Sequence, residues 1–184
     1  MVNNITILFV LKPLLYKKEW IHLAEISREL KVHHTTLRKY FEILEKNGVV
    51  IKQKKGRLTL FMLNYDNPIL IDFLVLVEKQ NLINFCKELL LKEIVSFLHN
   101  IANEVIIFGS AVKNIGKAND IDLLIVGKFD KNELKKFEKS LGLNFHIINV
   151  TSLDEISKSL KKEIENKHLI IQNTENIVKW MLKN

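Results

Sequence analysis

Two short apolar runs constrain this chain more than any other feature. Val105-Ile106-Ile107-Phe108 and Ile121 to Val126 are rich in β-branched and aromatic residues, which is the signature of buried strands. The first run leads directly into Gly109-Ser110, and the second is entered through Asp120-Ile121-Asp122. The loop Gly109 to Asn119 joins them. Residues two apart on a strand share a face, so Asp120 and Asp122 stand together, with Cα atoms about 6–7 Å apart, while Ile121 turns to the core.

This pattern has a chemical use. A carboxylate pair suits Mg²⁺, which takes oxygen ligands and bridges nucleotide phosphates. Glycine lets backbone come close to a phosphate. A serine hydroxyl and the N–H groups of a following helix then hold it, and Lys113 adds a positive charge nearby. Gly-Ser alone carries no information and Asp-x-Asp recurs by chance; together, each beside its strand, they are more specific. An ordinary loop between strands with exposed aspartates is the alternative reading.

The residues that follow extend the same layer. Asp130 to Leu141 reads as a helix and Asn144 to Val150 as a third strand. Ser152-x-x-Glu155 reads as a capping box opening a helix to about Asn166. His168 to Gln172 reads as a short strand and Thr174 to Leu182 as a last helix.

Charge separates the chain's two parts. Residues 1–65 hold 12 Lys+Arg against 5 acids, the whole excess of +7, whereas the remainder holds 16 of each sign. A basic first third beside a neutral remainder points to one polyanion-binding module. Its pattern predicts a helix over residues 5–16, bent or ended by Pro13, and a second over 21–30. A third runs over 35–46, ended by Asn47-Gly48. Val49-Val50-Ile51 and Leu58 to Met62 then read as two strands joined by a turn at Gln53 to Gly56.

Three helices and a basic hairpin are the order of a winged helix-turn-helix. In that arrangement the second helix of the motif enters the major groove by its N-terminal residues. Here these are His34, Thr35, Thr36, Arg38 and Lys39, while Leu37, Tyr40 and Phe41 face the core. Arg38 can make a bidentate contact to guanine or phosphate. Lys52, Lys54, Lys55 and Arg57 on the hairpin would straddle the backbone. The partner implied is double-stranded DNA; the alternative is a winged helix used for protein contacts. His33-His34 lacks the geometry of a metal site, because adjacent helical residues point apart.

Between the two parts, residues 68–79 and 82–102 are strongly apolar, with a polar break at Gln80-Asn81. Pro68 fits the first helical position. The single cysteine, Cys86, sits among apolar residues and reads as a packed thiol, which excludes an internal disulfide framework. The apolar start, Ile5 to Val10, lacks the flanks of a signal peptide, and no run reaches membrane-spanning length. No membrane partner is expected, and a reducing cytoplasm is the expected setting.

The Gly109-Ser110 and Asp120-x-Asp122 pair resembles the nucleotidyltransferases of the DNA polymerase beta superfamily. An archaeal-type group places a winged helix before such a domain, joined through an Asn-Pro connector, and residues 21–182 follow that layout. The resemblance implies an α+β chain. A winged helix-turn-helix spans residues 1–66, a helical connector 67–102, and a nucleotidyltransferase-like mixed sheet flanked by helices 103–184. It implies ATP or another nucleoside triphosphate as substrate, with Gly109, Ser110 and Lys113 on the phosphates and Asp120 and Asp122 on Mg²⁺. It further implies transfer of a nucleoside monophosphate to a hydroxyl on a protein or nucleic-acid acceptor.

One position departs from the pattern. Fully active members carry a third carboxylate on a later strand, but Asn144 to Val150 contains no acid. Asn144 and His146 share one face in that place, and His146 is either a general base or a half-buried residue. Two metal ions are implied, or one if the third carboxylate is absent. Relatives often have an arginine in the loop, where Lys113 stands here. The alternatives are a catalytically degenerate DNA-binding regulator, with the second domain as sensor or homodimer platform, and an antitoxin-like partner of a toxin.

Overall fold

The computed structural model describes residues 6–87, 89–112 and 120–183. The chain forms two compact units, Met1–Val77 and Glu78–Asn184. It is a mixed α+β protein of helices and two separate sheets.

In the first unit, Thr6 caps α1 (Ile7–Leu11), and Lys12–Leu14 tightens into a 3-10 turn. The expected helix over 5–16 is therefore shorter, because Pro13 supplies no N–H to continue it. Residues 21–22 also depart from expectation. They form a two-residue strand, β1 (Ile21–His22), and α2 (Leu23–Leu30) begins only where the His22 ring accepts the Ala24 N–H. After α2, Lys31 adopts a left-handed conformation at φ 55°. A short turn then leads to α3 (His34–Lys46).

The hairpin strands β2 (Val50–Lys55) and β3 (Leu58–Leu63) run longer than their apolar residues suggest. Lys55 pairs with Leu58, so the turn is Gly56-Arg57 rather than Gln53 to Gly56. Gly56, at φ 61°, supplies the conformation such a tight loop needs. β1 adds to β3, giving the antiparallel order β1-β3-β2. Phe41 of α3 is fully buried and stacks on Phe61 of β3 at 4.3 Å between centroids, fixing the helix on the small sheet.

Asn67 starts the next element: its side chain accepts the Ile69 N–H at 3.1 Å. Pro68 lies in this turn, and α4 (Leu70–Phe85) begins two residues later than expected. The polar pair Gln80-Asn81 does not break α4; the interruption falls at Cys86-Lys87, before α5 (Leu89–Ile101). Two polar residues at helical spacing are simply carried by the helix. Cys86 is half-buried; burial pushes its thiol pKa up, against Lys92. No helix among the described residues is long and apolar enough to cross a membrane.

The second unit is built on a four-stranded sheet of order β6-β5-β4-β7. Its strands are β4 (Glu104–Phe108), β5 (Asp120–Val126), β6 (Asn144–Val150) and β7 (His168–Gln172). β5 and β6 are parallel, connected through α6 (Lys131–Leu141), whereas β4 runs antiparallel to both of its neighbours. One sheet face buries Val105, Ile107, Ile121, Leu123 and Ile125 against Ile94 and Leu98 of α5 and Leu134 of α6.

The Ser152-x-x-Glu155 segment caps only a 3-10 turn, Leu153–Glu155. The helix beyond it, α7 (Lys158–Asn166), is capped by Ser157. Glu155 instead accepts from Thr151, so the box closes on itself one turn early. The chain ends in α8 (Thr174–Leu182).

Candidate functional site

Strand alternation decides which side chains meet. Because Ile121, Leu123 and Ile125 of β5 enter the core with α5 and α6, Asp120 and Asp122 point to the opposite face. In the parallel pairing of β5 with β6, Asp120 stands opposite Asn144 and Asp122 opposite His146. In the antiparallel pairing with β4, Asp122 stands opposite Phe108, the residue before Gly109. The starts of β5 and β6 and the end of β4 thus gather Asp120, Asp122, Asn144, His146 and Gly109-Ser110 at one end of the sheet.

Gly109 is held at φ 75°, a conformation that residues with a Cβ rarely adopt. A Cβ placed there would lie 2.5 Å from Oδ2 of Asp122. The close approach that glycine permits in this structure is therefore that of the Asp122 carboxylate. The Gly109 N–H donates to the carbonyl of Lys167 at 3.2 Å, which is one residue before β7. Gly109–Val112 form a 3-10 turn rather than the start of an α-helix, so its N–H groups are presented by a tight turn. Ser110 is exposed on that turn, between buried Gly109 and Ala111. Lys113 lies outside the described residues.

His146 Nδ1 lies 3.1 Å from Asp122 Oδ1. The imidazole is largely solvent-exposed, at 72%, and the carboxylate is only 30% exposed. His146 thus occupies the edge of the site beside the aspartate, open to an incoming molecule. Asn144 lies one step along the same face. No acid of β6 joins the pair, and among the described residues no group of three or more His, Cys, Asp or Glu could hold a metal ion.

The donor set tests which metal arrangement these residues fit. Mg²⁺ is commonly held by one or two carboxylates together with substrate phosphates, keeping several waters. Asp120 and Asp122 supply two carboxylates on one face, which fits an ion carried in with a polyphosphate. They do not make a site closed by protein ligands alone.

Two further side chains back this corner, and sequence reasoning missed both. His168 pairs with Phe108 across the β4–β7 ladder. Its Nε2 lies 3.2 Å from Oε1 of Glu78 on α4, and Nδ1 lies 2.7 Å from the Ile164 carbonyl. The two side chains are 7% and 1% exposed. Burial opposes the imidazolium, but Glu78, the Ile164 carbonyl and Glu165 outweigh it and raise the His168 pKa above its ordinary value. The readable signal is an acid, Glu78, directly after the apolar run Phe73 to Val77 on a helix, where a buried charge must find a partner.

In the first unit, His34, Thr35, Arg38 and Lys39 are exposed at the start of α3, and Thr36 is half-buried. Leu37 and Phe41 are buried, and Tyr40 is half-buried rather than central. Lys54, Lys55 and Arg57 are exposed at the hairpin tip. Lys52 lies farther back and pairs with Glu45 at 3.2 Å.

None of the curated proteins matches the chain. Residues 88–180 match the family model described as a nucleotidyltransferase domain. That match takes in α5, all four strands of the sheet and the Gly109–Asp122 corner. With half of its length so matched, the chain belongs to the nucleotidyltransferase domain family.

Proposed function

We propose that the chain is a DNA-binding nucleotidyltransferase that transfers a nucleoside monophosphate from ATP or another nucleoside triphosphate to a hydroxyl on a protein or nucleic acid. The observation that carries this reading is the Asp122 carboxylate pressed against Gly109, with Asp120 and His146 on the same open face. In the reaction, the acceptor oxygen bonds to the α-phosphorus. The bond from that phosphorus to the bridging oxygen breaks, and pyrophosphate leaves with the electron pair.

Each residue of the corner has a task in that step. Ser110 donates its hydroxyl hydrogen to the polyphosphate, aided by N–H groups of the turn and by Lys113. Asp120 and Asp122 would hold Mg²⁺, which neutralises phosphate charge and acts as a Lewis acid. His146, oriented by Asp122, accepts the proton of the attacking hydroxyl, the role its exposed position suits. Asn144 is placed to orient the acceptor.

The test uses the full chain with nucleoside triphosphates labelled at the α-phosphate, Mg²⁺ and cell extract. Mg²⁺-dependent labelling of a protein or nucleic acid, lost in Asp120→Ala/Asp122→Ala, is expected. Labelling no greater than in that variant overturns the reading.

The first unit is read as a winged helix-turn-helix. Support comes from the α2–α3 pair with its tight turn, from the hairpin packed on α3 through Phe41 and Phe61, and from the concentrated positive charge. α3 would enter the major groove of double-stranded DNA through His34, Thr35, Thr36, Arg38 and Lys39. Lys54, Lys55 and Arg57, with Lys52, would follow the phosphates. A second reading, a regulator whose transferase domain no longer reacts, is favoured by His146 standing where an acid would complete the carboxylate set. Salt-sensitive DNA binding unchanged by Asp120→Ala/Asp122→Ala, without labelling activity, would select it.

A further inference from the structure

We infer that Glu78 and His168 form a buried positioning pair that sets the Gly109-Ser110 turn. The inference deepens the proposed transferase reading and rests on it for the pair's purpose, though not for its effect on the turn. Both side chains are almost wholly withdrawn from water, 3.2 Å apart. Holding ionisable groups in such a place contributes little net stability, because desolvation offsets their attraction. A buried pair of this kind is better explained by the geometry it fixes than by the stability it adds.

The geometry leads straight to the site. His168 is held from two sides, by the Glu78 carboxylate at Nε2 and by the Ile164 carbonyl at Nδ1, 2.7 Å away. Glu78 is itself held by the Asn81 amide, 3.3 Å from its other oxygen. The imidazole therefore has one orientation, and it pins the start of β7 against the end of α7. The residue before it, Lys167, is bonded back to α7 by its own N–H, which reaches the carbonyls of Glu163 and Ile164. The Lys167 carbonyl, thus fixed, accepts the Gly109 N–H at 3.2 Å. Gly109 in turn sits where its missing Cβ leaves room for Asp122. The chain Glu78–His168–Lys167–Gly109–Asp122 is continuous, and Glu78 and His168 are both buried, so neither is exposed to an incoming nucleotide.

A merely structural pair would weaken the whole unit when altered, whereas a positioning pair loosens the turn selectively. The variant Glu78→Leu/His168→Leu replaces the pair by apolar side chains, a change that buried pairs often tolerate with unchanged or higher stability. Amide hydrogen exchange by NMR is read at Gly109 and at Leu123 in the centre of β5, with thermal unfolding alongside. We expect exchange at Gly109 to rise at least tenfold while Leu123 and the melting temperature hold. The affinity for ATP with Mg²⁺, measured by calorimetry, should fall about tenfold.

Should the double variant not fold, Glu78→Gln serves instead. It keeps the shape and removes the charge, and selective acceleration at Gly109 is again expected. Unchanged exchange at Gly109, or a rise matched at Leu123, overturns the inference. If the natural chain binds no nucleotide, the transferase reading fails, and the exchange result still decides whether the pair holds the turn.

Discussion

Gly109→Ala should damage the second unit more than a left-handed glycine replacement ordinarily does, and the excess can be worked out. Any residue with a Cβ at φ 75° pays a conformational penalty of about 1–2 kcal/mol. At Gly109 the added carbon also meets Asp122 Oδ2 at 2.5 Å, closer than atoms can approach, so the carboxylate must rotate. Rotation breaks its contact with His146 at 3.1 Å, a further loss of about 0.5–1.5 kcal/mol. The expected total is about 1.5–3.5 kcal/mol, a fall in melting temperature of roughly 3–14 °C at 2–4 °C per kcal/mol.

Gly142 provides the control. It caps α6 at φ 64°, with nothing within 4 Å of a Cβ added there, so Gly142→Ala carries the conformational penalty alone. Urea unfolding of Gly109→Ala, Gly142→Ala, Asp122→Ala and Gly109→Ala/Asp122→Ala closes a cycle that isolates the clash. Equal destabilisation by the two glycine variants, or additive behaviour of Gly109→Ala and Asp122→Ala, would refute the claim that this carboxylate is packed on the turn.

Three other outcomes are expected. If about five or six of the first unit's cations meet phosphates, log affinity for duplex DNA should fall with log salt at a slope of about −5; a slope near zero would sink the DNA-binding reading. Phe41→Ala removes a fully buried ring stacked on Phe61 and should destabilise the first unit by about 3–5 kcal/mol, read by circular dichroism in urea. The raised His168 pKa makes its pairing stabilising below the unfolded value of about 6.5, and that contribution is lost as pH rises through the folded value. Urea midpoints of the natural chain relative to Glu78→Leu/His168→Leu should therefore decline from neutral to alkaline pH; parallel curves would refute the assignment.

The four strands of the second unit were legible in the sequence because each is an unbroken apolar or alternating run bounded by Gly, Asn or Asp. The aspartate pair was legible too, since period-two alternation alone puts Asp120 and Asp122 on one face. What could not be read was anything set by pairing between distant segments. The register that puts His146 beside Asp122, and the Lys167 carbonyl that takes the Gly109 amide, arise from strand neighbours far apart in the chain. Local rules also misplaced elements where two signals competed. Gln80-Asn81 looked like a break because polarity changes there, yet neither residue stops a helix as Gly or Pro does. Ser152 and Ser157 both offer caps, and only the second is followed by a helix long enough to use one. Polarity alone puts the hairpin turn too early, because Gln53 to Lys55 are polar on both faces, which an exposed strand end permits.

The placement of β7 governs when this corner can first exist. β4 lies between β5 and β7, and the Gly109 amide finds its acceptor on Lys167. A chain that ended after β6 would carry both aspartates, but the Gly109 amide would lack the Lys167 carbonyl that accepts it. Shortened translation products ending before residue 167 would therefore carry the acidic residues without the fixed turn opposite them.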